Sequence, residues 1–432
     1  MLRRSLKPFG LFMTMFLLLG GAPYGTEEIV PMAGPGMAIL VLVGMAIFWA
    51  APYALIVSEL VSALPQEGGI YQWFRAGLGP FWSFQFSYVD WVTWVLDSCL
   101  YPPLVAAYLV SFFTPNGGRL ERWIVSLVIV WSLTWLHILG IKAVGRFSGT
   151  MAALMMAPLV AIVALGWARL SWSLPQPLVP EGMPPGTALS HAMVWCLWSY
   201  SGYGALASAG EEIVDTERNY PRTLAIFLPL CVLSHGLMLM AALGATPDWT
   251  TWQAAHFTQV GFVLGGAWLA AATSLGAQLG GLGLFNGELL VVSRMPYAMA
   301  RDGLLPQRLA QLHPRYQTPH VCLIVQAILY SVLTYFLSFT ELLMVSTWMA
   351  LPAYVLTFLT PIILRWKRPE IRGPFRIPGG WPGLIVTALC PILIALYALF
   401  EIDRQHILRG LAFMATGPIL YFFSARRRRL VG

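Results

Sequence analysis

Twelve apolar stretches, most near the roughly 20 residues that cross a bilayer as a helix, constrain this chain more than any other feature. They run over 8–33, 37–64, 80–113, 123–139, 147–170, 188–213, 223–243, 260–290, 319–337, 342–364, 381–400 and 407–423. The connections between them are too short for a soluble domain. Only 10% of the 432 residues are charged and 58% are hydrophobic, against about 25% charged in average soluble chains. The expected fold is an all-α polytopic membrane protein of twelve transmembrane helices, a single domain spanning residues 1–432.

An even number of spans places both termini on one side. With the N-terminus cytoplasmic, 21 of the 26 Lys and Arg fall inside and 5 outside, as the positive-inside rule requires. The location expected is the plasma membrane, or the inner membrane of a bacterium. The net charge of +7 is spread over short loops and the run Arg426 to Arg429, so orientation in lipid explains it and nucleic acid is not a partner. Arg3, Arg4 and Lys7 before an apolar run resemble a secretory signal, but cleavage near Ala22 would discard half of the first span. The five cysteines lie inside apolar runs without paired spacing, so neither disulfides nor a metal site is indicated.

Two spans carry interruptions. In the first, Gly20, Gly21, Pro23 and Gly25 stand within six residues. Gly costs about 1 kcal/mol in a helix interior and Pro about 3, so the helix unwinds there. In the sixth, Tyr200-Ser201-Gly202-Tyr203-Gly204 does the same. Unwound backbone at membrane depth survives where protein or a water-filled cavity satisfies it, which marks a binding site. Breaks five spans apart are the pattern of two inverted five-helix repeats, here 1–170 and 188–364, with two additional helices at 381–423. Glu27 and Glu28 follow the first break at the positive end of a half-helix. Asp97 lies deep in span three, with Asp90 nearer that span's start. Intramembrane carboxylates cost about 2.5–3.5 kcal/mol each on insertion scales and are functional by default.

After span two, Ser58-Glu59-Leu60 and Leu64-Pro65-Gln66-Glu67-Gly68-Gly69-Ile70-Tyr71-Gln72-Trp73 resemble a signature of the amino acid/polyamine/organocation transporter superfamily. Glu211-Glu212 with Asn219-Tyr220-Pro221-Arg222, and Asn286-Gly287, Ser293-Arg294 and Tyr297 to Pro306, are similar to two further stretches of it. Gly20 to Glu28 and Asp97-Ser98-Cys99-Leu100-Tyr101-Pro102 resemble segments of its polyamine-uptake branch. The resemblance implies the leucine-transporter fold with alternating access around a midplane site, and proton coupling in many relatives. Two positions depart from it. Tyr203 and Gly204 stand where many relatives have an acid after the glycine of the sixth-span break. Met155 stands where some have a Lys in span five.

The function expected is secondary active transport of amino acids or polyamines, a proton-coupled uptake with preference for cationic amines. A neutral amino-acid transporter or exchanger is the alternative, followed by a nutrient sensor that does not transport. The chain is not expected to be an enzyme: His191 and His235 show no nucleophile and base spacing. No cofactor is expected, and with no G-x-x-x-x-G-K-[ST] nucleotide loop ATP is not expected to power transport. The candidate substrate site comprises Gly20, Gly21, Tyr24, Gly25, Glu27, Glu28, Asp97, Tyr101, Trp198, Tyr200, Ser201, Gly202 and Tyr203, the aromatics being able to enclose an alkylammonium. Glu59, Glu211 and Arg222 are expected as gate or scaffold, with Glu212 beside them. The stretch from Arg294 to Arg315 is expected to include an amphipathic basic segment along the inner surface.

Overall fold

The computed structural model describes residues 4, 6–19, 23–113, 118–169, 173–253, 255–336, 339–400 and 404–431. Its α-helices, in chain order, are α1 (Pro8–Leu18), α2 (Ile29–Ala33), α3 (Pro35–Met45), α4 (Ala51–Ala63), α5 (Ile70–Leu78), α6 (Pro80–Ser98), α7 (Tyr101–Phe113), α8 (Arg119–Ile138) and α9 (Ile141–Gly166). The order continues with α10 (Pro185–Ser199), α11 (Thr216–Ala245), α12 (His256–Gly265), α13 (Ala267–Arg301), α14 (His320–Phe336), α15 (Phe339–Lys367), α16 (Gly380–Phe400) and α17 (Arg404–Val431). Six helical stretches among the described residues are long and apolar enough to cross a membrane: Pro35–Ala63, Ala143–Arg169, Thr216–Ala245, Ala267–Arg301, Val345–Lys367 and Gly380–Leu399. Pro8–Leu18, His320–Phe336 and Ile407–Phe422 are shorter apolar helices.

The central strut is α13. It packs against α1, α6, α7, α9, α12 and α14, and all of Phe285 to Ala300 is buried. The seam with α1 is a stripe of small residues of the kind that lets helix backbones approach closely in lipid. A Cβ at Gly283 would stand 2.7 Å from a Leu17 methyl, and one at Gly287 2.9 Å from Leu18 Cβ. Polarity is inverted relative to a water-soluble bundle: Val128, Trp135, Val386 and Phe422 are exposed, while Glu27, Asp90, Asn286, Glu288 and Arg294 are buried.

Several apolar stretches are divided further than their composition indicates. The span at 80–113 breaks between α6 and α7, because Pro102 and Pro103 have no N–H to give the carbonyls of Ser98 and Cys99. The chain turns there on tighter bonds, with Leu100 N–H donating to the Asp97 carbonyl at 2.9 Å. The stretch at 260–290 is two helices, α12 and α13, separated at Gly266 with φ +75°. Arg294 belongs to the buried part of α13, and so does not lie along a surface segment. The exposed basic stretch begins at Arg301 and continues through a 3-10 turn at Gln307–Ala310.

Candidate functional site

The expected first break is present. Gly20 and Gly21 lie outside the described residues. α1 ends at Leu18, and the chain turns through Gly25, whose φ of +94° suits glycine. It re-enters a 3-10 turn at Thr26–Glu28 and then α2. The turn is held by its own side chains. Thr26 Oγ1 donates to the Pro23 carbonyl at 2.6 Å, and the Gly25 N–H donates to Glu27 Oε2 at 2.7 Å. The N–H groups of Glu27 and of Phe257, in the first turn of α12, face the same carboxyl. Glu27 is therefore a buried carboxyl surrounded by backbone donors. On a 3-10 helix successive residues point about 120° apart, so Glu28 is exposed where Glu27 is buried. Tyr24 reaches across to span five and donates to the Met155 carbonyl at 3.2 Å.

The second break follows α10. Gly202 has φ +85°, and the segment continues as a 3-10 helix, Ala205–Glu212. Here too side chains take up the freed backbone: Trp49 Nε1–H donates to the Tyr200 carbonyl at 3.0 Å and the Tyr220 hydroxyl to the Tyr203 carbonyl at 2.6 Å. Trp49 belongs to a π-helical turn, Ala46–Ala50, that links α3 to α4. The Tyr200 and Tyr203 rings turn away from the acids. Tyr203 packs edge-on against Tyr53 at 5.2 Å, and Tyr200 lies beside His235. Ser201 Oγ donates to the Leu197 carbonyl. Of the aromatic candidates on this span only Trp198 faces an acid, Asp97. Its ring lies 6.0 Å from that of Trp195, which in turn lines Gly25, so the two breaks are joined by a pair of indoles.

The acid cluster forms at the α6 break. Tyr101 donates to Asp97 Oδ2 at 3.1 Å. Across the interface α13 presents Glu288, a residue that the spacing of motifs did not single out. Its carboxyl meets that of Asp97 and lies 2.5 Å from Ser98 Oγ. The signal that could have found it is an ionisable residue in an apolar span, as for Asp97. Two turns before Asp97, Asp90 borders a small cavity lined by Trp91, Trp94, Ser208, Val291 and Met295. Its Oδ2 is buried without a hydrogen-bond partner.

A second set of acids lies at the ends of these spans, where guanidinium groups meet them. Arg294 Nε is 2.7 Å from Glu212 Oε1 and 3.8 Å from Glu67 Oε1, with all three side chains buried. Arg301 pairs with Glu211 at 3.2 Å. Arg365 grips Glu59 with two nitrogens, at 2.7 and 2.6 Å, and the Ile377 N–H adds a third bond. Arg75 and Tyr71 both reach Asp302. Arg222 is exposed and outside this cluster. Close backbone approach builds the cluster: a Cβ on Gly69 would fall 2.8 Å from the Ala207–Ser208 backbone. Burial, then the Glu212 carboxylate, pushes Glu67 well above the usual carboxylate range, against the opposing pull of Arg294. Among the described residues no Lys or Arg forms an ion pair with Glu27, Asp90, Asp97 or Glu288.

Comparison with known proteins finds one family, described as amino acid permease, whose profile matches residues 9–423. Polyamine transporter RMV1 of Arabidopsis thaliana is 29% identical over 412 residues, covering 95% of this chain and 83% of that protein. Polyamine transporter PUT1 of Oryza sativa subsp. japonica is 28% identical over 414 residues, covering 92% and 75%. Branched-chain amino acid permease BcaP of Bacillus subtilis (strain 168) is 27% identical over 455 residues, covering 99% and 94%.

Proposed function

Because this chain belongs to the amino acid permease family, and so is a multi-pass membrane transporter and not an enzyme, we propose that it carries cationic amines inward across the plasma membrane, coupled to protons. The observation that carries this reading is the set of mid-span carboxyls that have no Lys or Arg partner among the described residues. Glu27, Asp90 and Glu288 are buried and Asp97 is half-buried, where a fixed charge is expensive, and a cationic cargo or a proton is what can offset them. Asp97, which the Trp198 and Tyr101 side chains both face, is the anchor for an ammonium group. Glu27 supplies negative potential at the first break, and the indoles of Trp195 and Trp198 provide the apolar wall between the two.

On this reading the chain has twelve spans with both termini cytoplasmic and the leucine-transporter fold. Residues 1–170 and 188–364 form its inverted repeats, and 381–423 the added pair. The cluster of Glu67, Glu211, Glu212, Arg294 and Arg301 is the closed inner gate, and Glu59 with Arg365 fixes the loop beside it. The similarity to polyamine transporters supports the cationic preference. A second reading, a neutral amino-acid carrier, is favoured by the backbone donors already given to Glu27 and by the similarity to the branched-chain permease.

Uptake of labelled putrescine, spermidine and a panel of amino acids into proteoliposomes, with and without an imposed pH gradient, separates the two. Polyamine uptake that needs the gradient and falls at least tenfold in Asp97→Asn supports the first reading. Amino-acid uptake or exchange indifferent to Asp97→Asn and Glu27→Gln would replace it with the second.

A further inference from the structure

Hydrogen counting at the α6 break leads beyond the substrate anchor. Ser98 Oγ lies 2.7 Å from the Trp94 carbonyl oxygen and 2.5 Å from Glu288 Oε2. A hydroxyl has one hydrogen and a carbonyl has none. Both contacts can be two-centre hydrogen bonds at once if Glu288 supplies the second proton and donates to Ser98 Oγ; with Glu288 ionised, the one hydroxyl hydrogen has to be shared between two acceptors. The same carboxyl also meets that of Asp97, and two adjacent carboxylates cannot both remain ionised in a site without a cation.

From α14 the Tyr330 hydroxyl, fully buried, faces Ser98, Cys99 and Glu288 without a well-formed hydrogen bond to any of them. It is a further donor and acceptor aimed at Ser98 and Glu288. The ionisable groups facing Glu288 are Asp97, Cys99 and Tyr101 from α6, α7 and the turn between them, Tyr330 from α14 and Tyr354 from α15. None is a base that is cationic at neutral pH.

We infer that Glu288 is the residue that carries the coupled proton, while Asp97 holds the substrate's ammonium. This rests on the proton-coupled reading above and deepens it. The proton reaches Glu288 from the outer aqueous phase and sits on its carboxyl oxygen. With the ammonium on Asp97 the pair then bears no net charge, the condition under which a loaded site can close inside a membrane. Release proceeds toward the cytoplasm. Val291, Val292 and Met295, one and two turns beyond Glu288 on α13, line the small cavity into which Asp90 faces. The unpartnered Oδ2 of Asp90 is the next acceptor on that path, so the proton leaves Glu288 for Asp90 and then for water once the inner cluster opens.

The test uses the full-length protein in liposomes loaded with a pH-sensitive dye, and whichever of labelled putrescine or labelled leucine the wild type accumulates. The wild type is expected to acidify the lumen when substrate is added outside. Glu288→Gln should lose accumulation under an inward proton gradient, and lumen acidification, by at least tenfold, yet still exchange labelled for unlabelled substrate. Glu288→Asp should restore acidification with a shifted pH profile. Gradient-driven accumulation retained in Glu288→Gln would overturn the inference while leaving the carrier reading intact. Loss of exchange as well, in a folded and monodisperse variant, would make Glu288 a substrate ligand and equally overturn it. A wild type that accumulates neither probe, or ignores the gradient, would instead remove the reading beneath it.

Discussion

Buried acids occur in two regions of this molecule. At the ends of the spans Glu212 meets Arg294 and Glu59 meets Arg365, in bonds of 2.6–2.7 Å. At the helix breaks Glu27, Asp97 and Glu288 meet, among the described residues, backbone N–H groups, hydroxyls, the Trp198 indole and each other, and no Lys or Arg. A charge pair with good geometry is a fastener, because removing one partner strands the other. A carboxyl without a cation adds nothing comparable to stability, so its presence in an apolar span points to a mobile positive charge that comes and goes. The two regions should therefore respond to the same chemical change in opposite ways.

The largest effect is expected at Arg294. Arg294→Met leaves Glu212 buried and unpaired, which should cost about 3–5 kcal/mol and remove most folded protein in a thermal-stability assay by size exclusion. Adding Glu212→Gln to that variant should recover a large part of the loss. If Arg294→Met alone is as stable as the wild type, the fastening role of this region is wrong.

Next comes Gly202, between the regions. Its φ of +85° and the Trp94 ring 3.1 Å from an ideal Cβ predict that Gly202→Ala costs about 1–2 kcal/mol from the left-handed backbone alone. A lowered unfolding midpoint together with slowed uptake would be seen.

Glu67 sharpens the comparison through pH. Its carboxyl is raised by burial and by Glu212, faces Arg294 and Glu211 as well, and so resists ionisation when folded. The unfolded chain ionises near pH 4.3. The stability that the protonated side chain contributes is thus whole below that value and is lost as pH rises toward the folded-state value. Unfolding midpoints should fall across this range, and Glu67→Gln should flatten the slope. An unchanged slope would assign it to other groups.

The smallest effect belongs to Glu28. It is exposed, so Glu28→Gln should alter neither stability nor substrate affinity by more than about 0.5 kcal/mol. A tenfold change in uptake would bring it into the site.

What could be read from sequence follows where the physics is local. Gly and Pro break helices wherever they fall, so the turns at Gly25 and Gly202 were visible, and long apolar runs announced the large helices. The break after Ser98 was also local, in Pro102 and Pro103, but an unbroken apolar run concealed it. The pairing of Arg294 with Glu212 was not visible, because it joins residues 82 positions apart through a close approach at Gly69 that no single stretch encodes. The same holds for Glu288. Its meaning arises only when α13 sets it against Asp97, just as the neighbours of Tyr200 and Tyr203 at the second break, His235 and Tyr53, come from other helices.

The most direct test of the contrast is thermal unfolding of Glu288→Gln beside Glu212→Gln, in one detergent and at one pH, with uptake measured on the same preparations. The account predicts that Glu288→Gln unfolds within a few degrees of the wild type, or above it, and loses gradient-driven uptake, while Glu212→Gln unfolds clearly lower. Equal destabilisation by the two substitutions, with uptake per folded molecule preserved in Glu288→Gln, would contradict it.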